Sequence, residues 1–103
     1  MNIEERVQIA ILSKYYGKML TERQQDILNM YVDNNLSLAE VSEELGISRQ
    51  AVKDAIDNSL SSLKNMEEKL HFIARDDNIK KQIEENKKID TTTKIELIAL
   101  LED

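Results

Sequence analysis

Apolar residues at Ile3, Val7, Ala10, Ile11 and Tyr15 recur at steps of three and four, which lays one apolar face along a helix and predicts a first helix over residues 2–18. Gly17 lies near its end. "TERQ" at 21–24 has the residue types and separation of a capping box, Thr21 covering free backbone N–H groups and Gln24 reaching back. It opens a second helix carrying Ile27, Leu28, Tyr31 and Val32, which "DNN" at 33–35 closes. "SLAE" at 37–40 repeats the device, with Leu36 and Val41 spaced for a hydrophobic staple, and Gly46 ends the third helix. Ser48 caps a fourth. No Pro or Gly interrupts the chain from there to Arg75, which predicts one long helix of about 40 Å at 1.5 Å per residue. Beyond "RDDN" at 75–78 two shorter helices follow, the first carrying Ile79 and Ile83, the second Ile95, Ile98, Leu100 and Leu101 after "DTTT" at 90–93.

The pattern is that of an all-α helical bundle, and composition agrees: Pro is absent and Gly occurs twice in 103 residues. That length accommodates one domain, with residues 1–75 forming its core and 76–103 a helical extension of the same domain. The absence of Cys excludes disulfides, thiolate metal sites and a thiol nucleophile. There is no Gly-rich phosphate loop, no metal-ligand spacing and no Ser/His/Asp constellation, so neither an enzyme nor a bound cofactor is expected. The apolar run "IELIALL" at 95–101 is far shorter than the roughly 18 residues a membrane span needs. The first residues carry Glu4, Glu5 and Arg6 without a leader pattern, so a cytoplasmic protein with no membrane partner is expected.

Residues 37–57 have the features of a helix-turn-helix, in which two helices cross closely through a turn of about three residues and a small apolar wedge seals the pair. Gly46 can adopt the positive φ of the turn, and Ser42 is small enough for a close approach. Val41, Leu45, Ile47, Val52 and Ile56 supply the wedge. Ser48 caps the second helix of the motif, whose first N–H groups are then available to a phosphate oxygen.

With those residues in view, "SLAEVSEELGISRQAVKDAI" resembles the helix-turn-helix of region 4 in bacterial sigma factors. The longer stretch "LTERQQDILNMYVDNNLSLAEVSEELGISRQAVKDAI", with "EEKLH" downstream, resembles the YlxM family of small proteins from Gram-positive bacteria and mycoplasmas. The resemblance covers residues 3–73. It implies a sigma-region-4-like bundle without a wing, dimers, a regulatory role on DNA and a connection to the signal recognition particle.

With Val52 and Ile56 turned inward, the opposite face of the fourth helix presents Gln50, Lys53, Asp54 and Asp57, with Arg49 beside Ser48 at its start. Double-stranded DNA is the expected ligand of that face: Gln50 suits adenine, Arg49 and Lys53 suit guanine or phosphate, and either aspartate can accept from cytosine. Charge opposes this, because the chain carries a net −6 and the motif itself holds Glu40, Glu43, Glu44, Asp54 and Asp57 against Arg49 and Lys53. A non-catalytic module docking on a protein or ribonucleoprotein of the targeting machinery is therefore the alternative. Further along, Val52, Ile56, Ser59, Leu63, Met66, Leu70 and Ile73 alternate steps of four and three, a helix seam whose distal part, Leu63, Met66, Leu70 and Ile73, is expected at a homodimer interface. Met19, Met30 and Met66 read as flexible core filler.

Overall fold

Asn2, Thr21, Ser37 and Asp90 each take the amide three residues on, and each starts a helix. The computed structural model describes residues 2–102 and builds six helices, α1 (Ile3–Tyr16), α2 (Glu22–Leu28), α3 (Leu38–Leu45), α4 (Arg49–Leu70), α5 (Phe72–Glu85) and α6 (Thr91–Glu102), with no strand among those residues. Both capping boxes close in both directions: Thr21 with Gln24, and Ser37 with Glu40. The all-α architecture read from the sequence is the architecture found.

The chain divides into two compact units, Met1–Leu70 and His71–Asp103. In the first, α1, α2 and α3 surround α4, and the core consists of Ile9, Leu12, Tyr16, Leu20, Ile27, Leu28, Val41, Val52, Ile56 and Leu63. Burying a Leu or Ile of this kind contributes about 1.5–3 kcal/mol, so this cluster is the main source of the unit's stability. The polar groups inside are satisfied. Ser59, 1% exposed, donates to the Ala55 carbonyl at 2.7 Å, and the Tyr16 hydroxyl donates to Glu67 Oε1 at 2.5 Å.

Three expectations need correction. The face Ile3, Val7, Ile11 of α1 is not the buried one: these residues are 79%, 52% and 44% exposed, while Ile9, Leu12 and Tyr16 pack inward. Helix periodicity locates apolar stripes but does not say which stripe meets the core, and α1 has two. Met19 is 62% exposed and fills no core space. The fourth helix does not reach Arg75; α4 ends at Leu70 after 22 residues, about 33 Å, because His71 adopts the left-handed conformation at φ 56°, ψ 28°. Histidine enters that region more readily than most residues, so no glycine or proline marks the break. "RDDN" then lies inside α5 instead of interrupting the chain.

After α2 the helix widens into a π-helical turn, Asn29–Asp33, and the loop beyond it is turned by Asn35 at φ 55°. Arg6 seals that turn from α1, donating from Nη1 to the carbonyls of Tyr31 at 3.1 Å and Val32 at 3.4 Å, with its guanidinium 5.6 Å from the Tyr31 ring centre. A cation at the carbonyl end of a helix is where its dipole favours positive charge.

In the second unit, α5 and α6 form an antiparallel hairpin. Lys94 Nζ donates to the Glu84 carbonyl at 2.7 Å, and Lys80 pairs with Glu102 at 3.4 Å. Asn86 Oδ1 accepts from the Lys88 amide at 2.9 Å in the connecting turn. Asp90 begins α6, its Oδ1 accepting from the Thr93 amide at 2.7 Å, which holds the Asp90 carboxyl below the ordinary carboxylate range.

Candidate nucleic-acid interface

The corner between α3 and α4 is built from Ser42, Gly46 and Ser48. Gly46 takes φ 68°, ψ 32°, which closes α3 in the left-handed cap, and the amides of Gly46 and Ile47 both donate to the Ser42 carbonyl, at 2.9 and 3.2 Å. The Ser42 hydroxyl donates to the Ile47 carbonyl. The sequence marks Ser42 only as small; its hydroxyl in fact bolts both sides of the turn together. Ser48 Oγ then accepts from the Ala51 amide at 3.0 Å and its carbonyl from the Val52 amide at 3.1 Å, so α4 starts where its cap predicts. The amides of Arg49 and Gln50 stand ahead of that bond, at the positive end of the helix.

Val52 at 0% and Ile56 at 5% exposure fix the roll of α4. Their burial turns Arg49, Gln50, Lys53, Asp54 and Asp57 to solvent, all exposed, with Ser48 at the head of the same surface. Four of these side chains are engaged with one another: Gln50 Nε2 donates to Asp54 Oδ1 at 2.8 Å, and Lys53 Nζ pairs with Asp57 Oδ2 at 2.9 Å. The hydrogen bond and charge of Asp57 hold the Lys53 ammonium above its ordinary pKa, so it stays a cation throughout the neutral range. Arg49 has Lys53 four residues on, not an acid, and forms no ion pair among the described residues. Glu43 and Glu44 are exposed on α3, and Glu40 is held by the Ser37 amide at 3.1 Å.

The residues read as a dimer seam fall in both units. Leu63 is 0% exposed and belongs to the core of the first unit, Met66 is half-buried, Leu70 is 42% exposed, and Ile73 lies on α5 past the break at His71. Leu63, Met66 and Leu70 share α4, and Ile73 stands on the next helix. What sequence reasoning missed near this site is Arg6, whose signal, a lone cation on an otherwise acidic first turn, has no local partner to explain it.

Comparison with known proteins agrees with this geometry. A protein from Clostridium kluyveri named UPF0122 protein is 44% identical over 86 residues, covering 84% of this chain and 74% of its own. One of the same name from Desulforamulus reducens is 40% identical over 73 residues, covering 71% of this chain and 62% of its own. A relative from Fusobacterium nucleatum, also a UPF0122 protein, is 35% identical over 98 residues and matches 95% of each chain. No described helix is long and apolar enough to cross a membrane. Residues 3–101 match the family described as "Putative helix-turn-helix protein, YlxM / p13 like", and the chain belongs to that UPF0122 family.

Proposed function

We propose that the chain is a non-catalytic regulator that binds double-stranded DNA, placing the first two turns of α4 in the major groove. The observation that carries this reading is the exposed surface of Ser48, Arg49, Gln50, Lys53, Asp54 and Asp57, held by a locked corner and doing no work for the core. Arg49 is the cation best placed to reach guanine or a phosphate, and the first amides of α4 add a second donor group for phosphate. The Gln50–Asp54 and Lys53–Asp57 pairs do not block the face. Exposed pairs four residues apart are weak, whereas a good bidentate contact between a side chain and a base provides about 1–3 kcal/mol of discrimination.

The test is fluorescence anisotropy with genomic duplex fragments over a salt series, beside Arg49→Ala. The reading expects a few fragments to bind well above the rest, with Arg49→Ala weakening them and flattening the salt slope by about one unit. Uniformly weak binding that no fragment improves would reject it.

A second reading draws on the acid around the same surface, Glu43, Glu44, Asp54 and Asp57, which repels phosphate and suits a basic protein partner. With the implied connection to the signal recognition particle, the module would dock on a component of that machinery in the cytoplasm. Titration with the purified protein and RNA of the particle distinguishes the two: saturable binding lost on charge reversal of Glu43 and Glu44 supports docking, and none removes it.

A further inference from the structure

We infer that the cleft between α1 and α2 is a binding site for a small zwitterion with an apolar body, an apolar amino acid or a short apolar peptide with free termini. The cleft has a volume of about 490 Å³, within the roughly 300–1,000 Å³ of small-molecule sites. It lies wholly in the first unit. Two cross-links hold its sides at a set spacing without a ligand. Gln25 Nε2 donates to the Leu20 carbonyl at 2.9 Å, tying the residue after the 3₁₀ turn Gly17–Met19 to α2. Arg6 ties α1 to the π-helical turn through the Tyr31 and Val32 carbonyls. That turn supplies Asn29, Val32 and Asp33 to the cleft, and π-helical turns are rare in proteins and found frequently at functional sites.

The lining specifies the ligand's chemistry. Ala10, Leu20, Leu28 and Val32 are apolar, and the charged residues are sorted by side. Lys14 and Lys18 belong to α1 and the 3₁₀ turn after it, whereas Asp26 and Asp33 belong to α2 and the π-helical turn. No ion pair joins the two sides among the described residues. Lys14 has an interaction of its own, so the cation offered to a ligand is Lys18, across from the exposed carboxylates of Asp26 and Asp33. An uncharged apolar ligand would strip water from these groups and return nothing, and a simple anion or cation would be repelled at one side. A zwitterion satisfies both. Its carboxylate reaches Lys18, its ammonium reaches the aspartates, and its apolar part covers Leu20, Leu28 and Val32. Because the charged groups are exposed, each pairing is weak and salt-sensitive, and affinity in the micromolar to millimolar range is expected.

The test is an NMR titration of the full chain, followed at its backbone amides, with free leucine, dileucine and trileucine, each beside its N-acetylated and its C-amidated form. No DNA is present, so the result is independent of the DNA-binding reading. Saturable shifts should centre on the amides of Ser13, Gly17, Leu28, Asn29 and Val32. Each blocked form should bind at least about tenfold more weakly than its free counterpart. The length that binds most tightly separates a free amino acid from a peptide. Lys18→Gln should weaken the free and N-acetylated probes and leave the C-amidated ones unchanged. Asp26→Asn combined with Asp33→Asn should weaken the free and C-amidated probes and leave the N-acetylated ones unchanged. All three positions are exposed, so these variants should keep the wild-type circular dichroism melt. No saturable shift with any free probe, shifts centred outside the cleft, blocked probes that bind as well as free ones, or variants that do not show this crossed pattern would each overturn the assignment.

Discussion

The chain's two glycines should respond to alanine with opposite signs. Gly46 sits at φ 68°, and a Cβ built there meets nothing within 4 Å, so Gly46→Ala introduces no clash and is opposed only by the backbone. The left-handed region costs a residue with a Cβ about 1–2 kcal/mol. Alanine also narrows the unfolded ensemble, which returns about 0.4–1 kcal/mol, leaving a net loss near ~1 kcal/mol. Gly17 has φ −57°, ψ −34°, ordinary right-handed geometry, and its Cβ would lie 3.6 Å from Ser13 Cβ, a normal contact. Gly17→Ala should therefore stabilise by about 0.4–1 kcal/mol. Urea unfolding followed by circular dichroism should move the two midpoints in opposite directions with an unchanged slope. Gly46→Asn should fall between wild type and Gly46→Ala, because asparagine tolerates the left-handed region. A Gly46→Ala midpoint at or above wild type would show that the corner does not need this conformation, and with it the rigid presentation of α4 would fail.

Three further outcomes follow from the packing. Arg6→Ala removes both bonds to the π-helical turn and the contact with the Tyr31 ring, and should cost about 1–3 kcal/mol in the same unfolding assay; Arg6→Lys, lacking the fork, should recover only part. Leu63→Ala opens a cavity at a fully buried site and should cost about 2–5 kcal/mol, a loss that added protein concentration does not correct if Leu63 serves the core and not a dimer. The second unit should carry an acid-sensitive cap. Folding keeps Asp90 ionised to lower pH than the unfolded chain does, so its contribution is complete above the ordinary carboxylate range and is lost as pH falls through the depressed folded value. The Thr93 amide resonance should report that titration, and in Asp90→Asn its acid-range shift should vanish.

Most of the helix starts were legible because capping is local chemistry. Thr21 with Gln24, Ser37 with Glu40, and Ser48 need only neighbours within one turn, and the structure contains all of them. The helix-turn-helix was legible for the same reason, since Gly46 and the wedge residues lie within about twenty positions. The stop at His71 was not, because a left-handed residue without glycine leaves no compositional mark. Nor was the choice between the two apolar stripes of α1, or the partnership of Arg6 with carbonyls 25 and 26 residues away.

By itself, then, the sequence determined the helical class, the capped starts of most of its helices and the tight corner at Gly46, since hydrogen bonds between near neighbours in the chain settle these. Tertiary structure alone decided that Leu63 is enclosed, that Ile3, Val7 and Ile11 are left in water, and that α4 stops at Leu70. Those outcomes depend on which surfaces compete for the same small core, and a periodic pattern carries no record of its competitors.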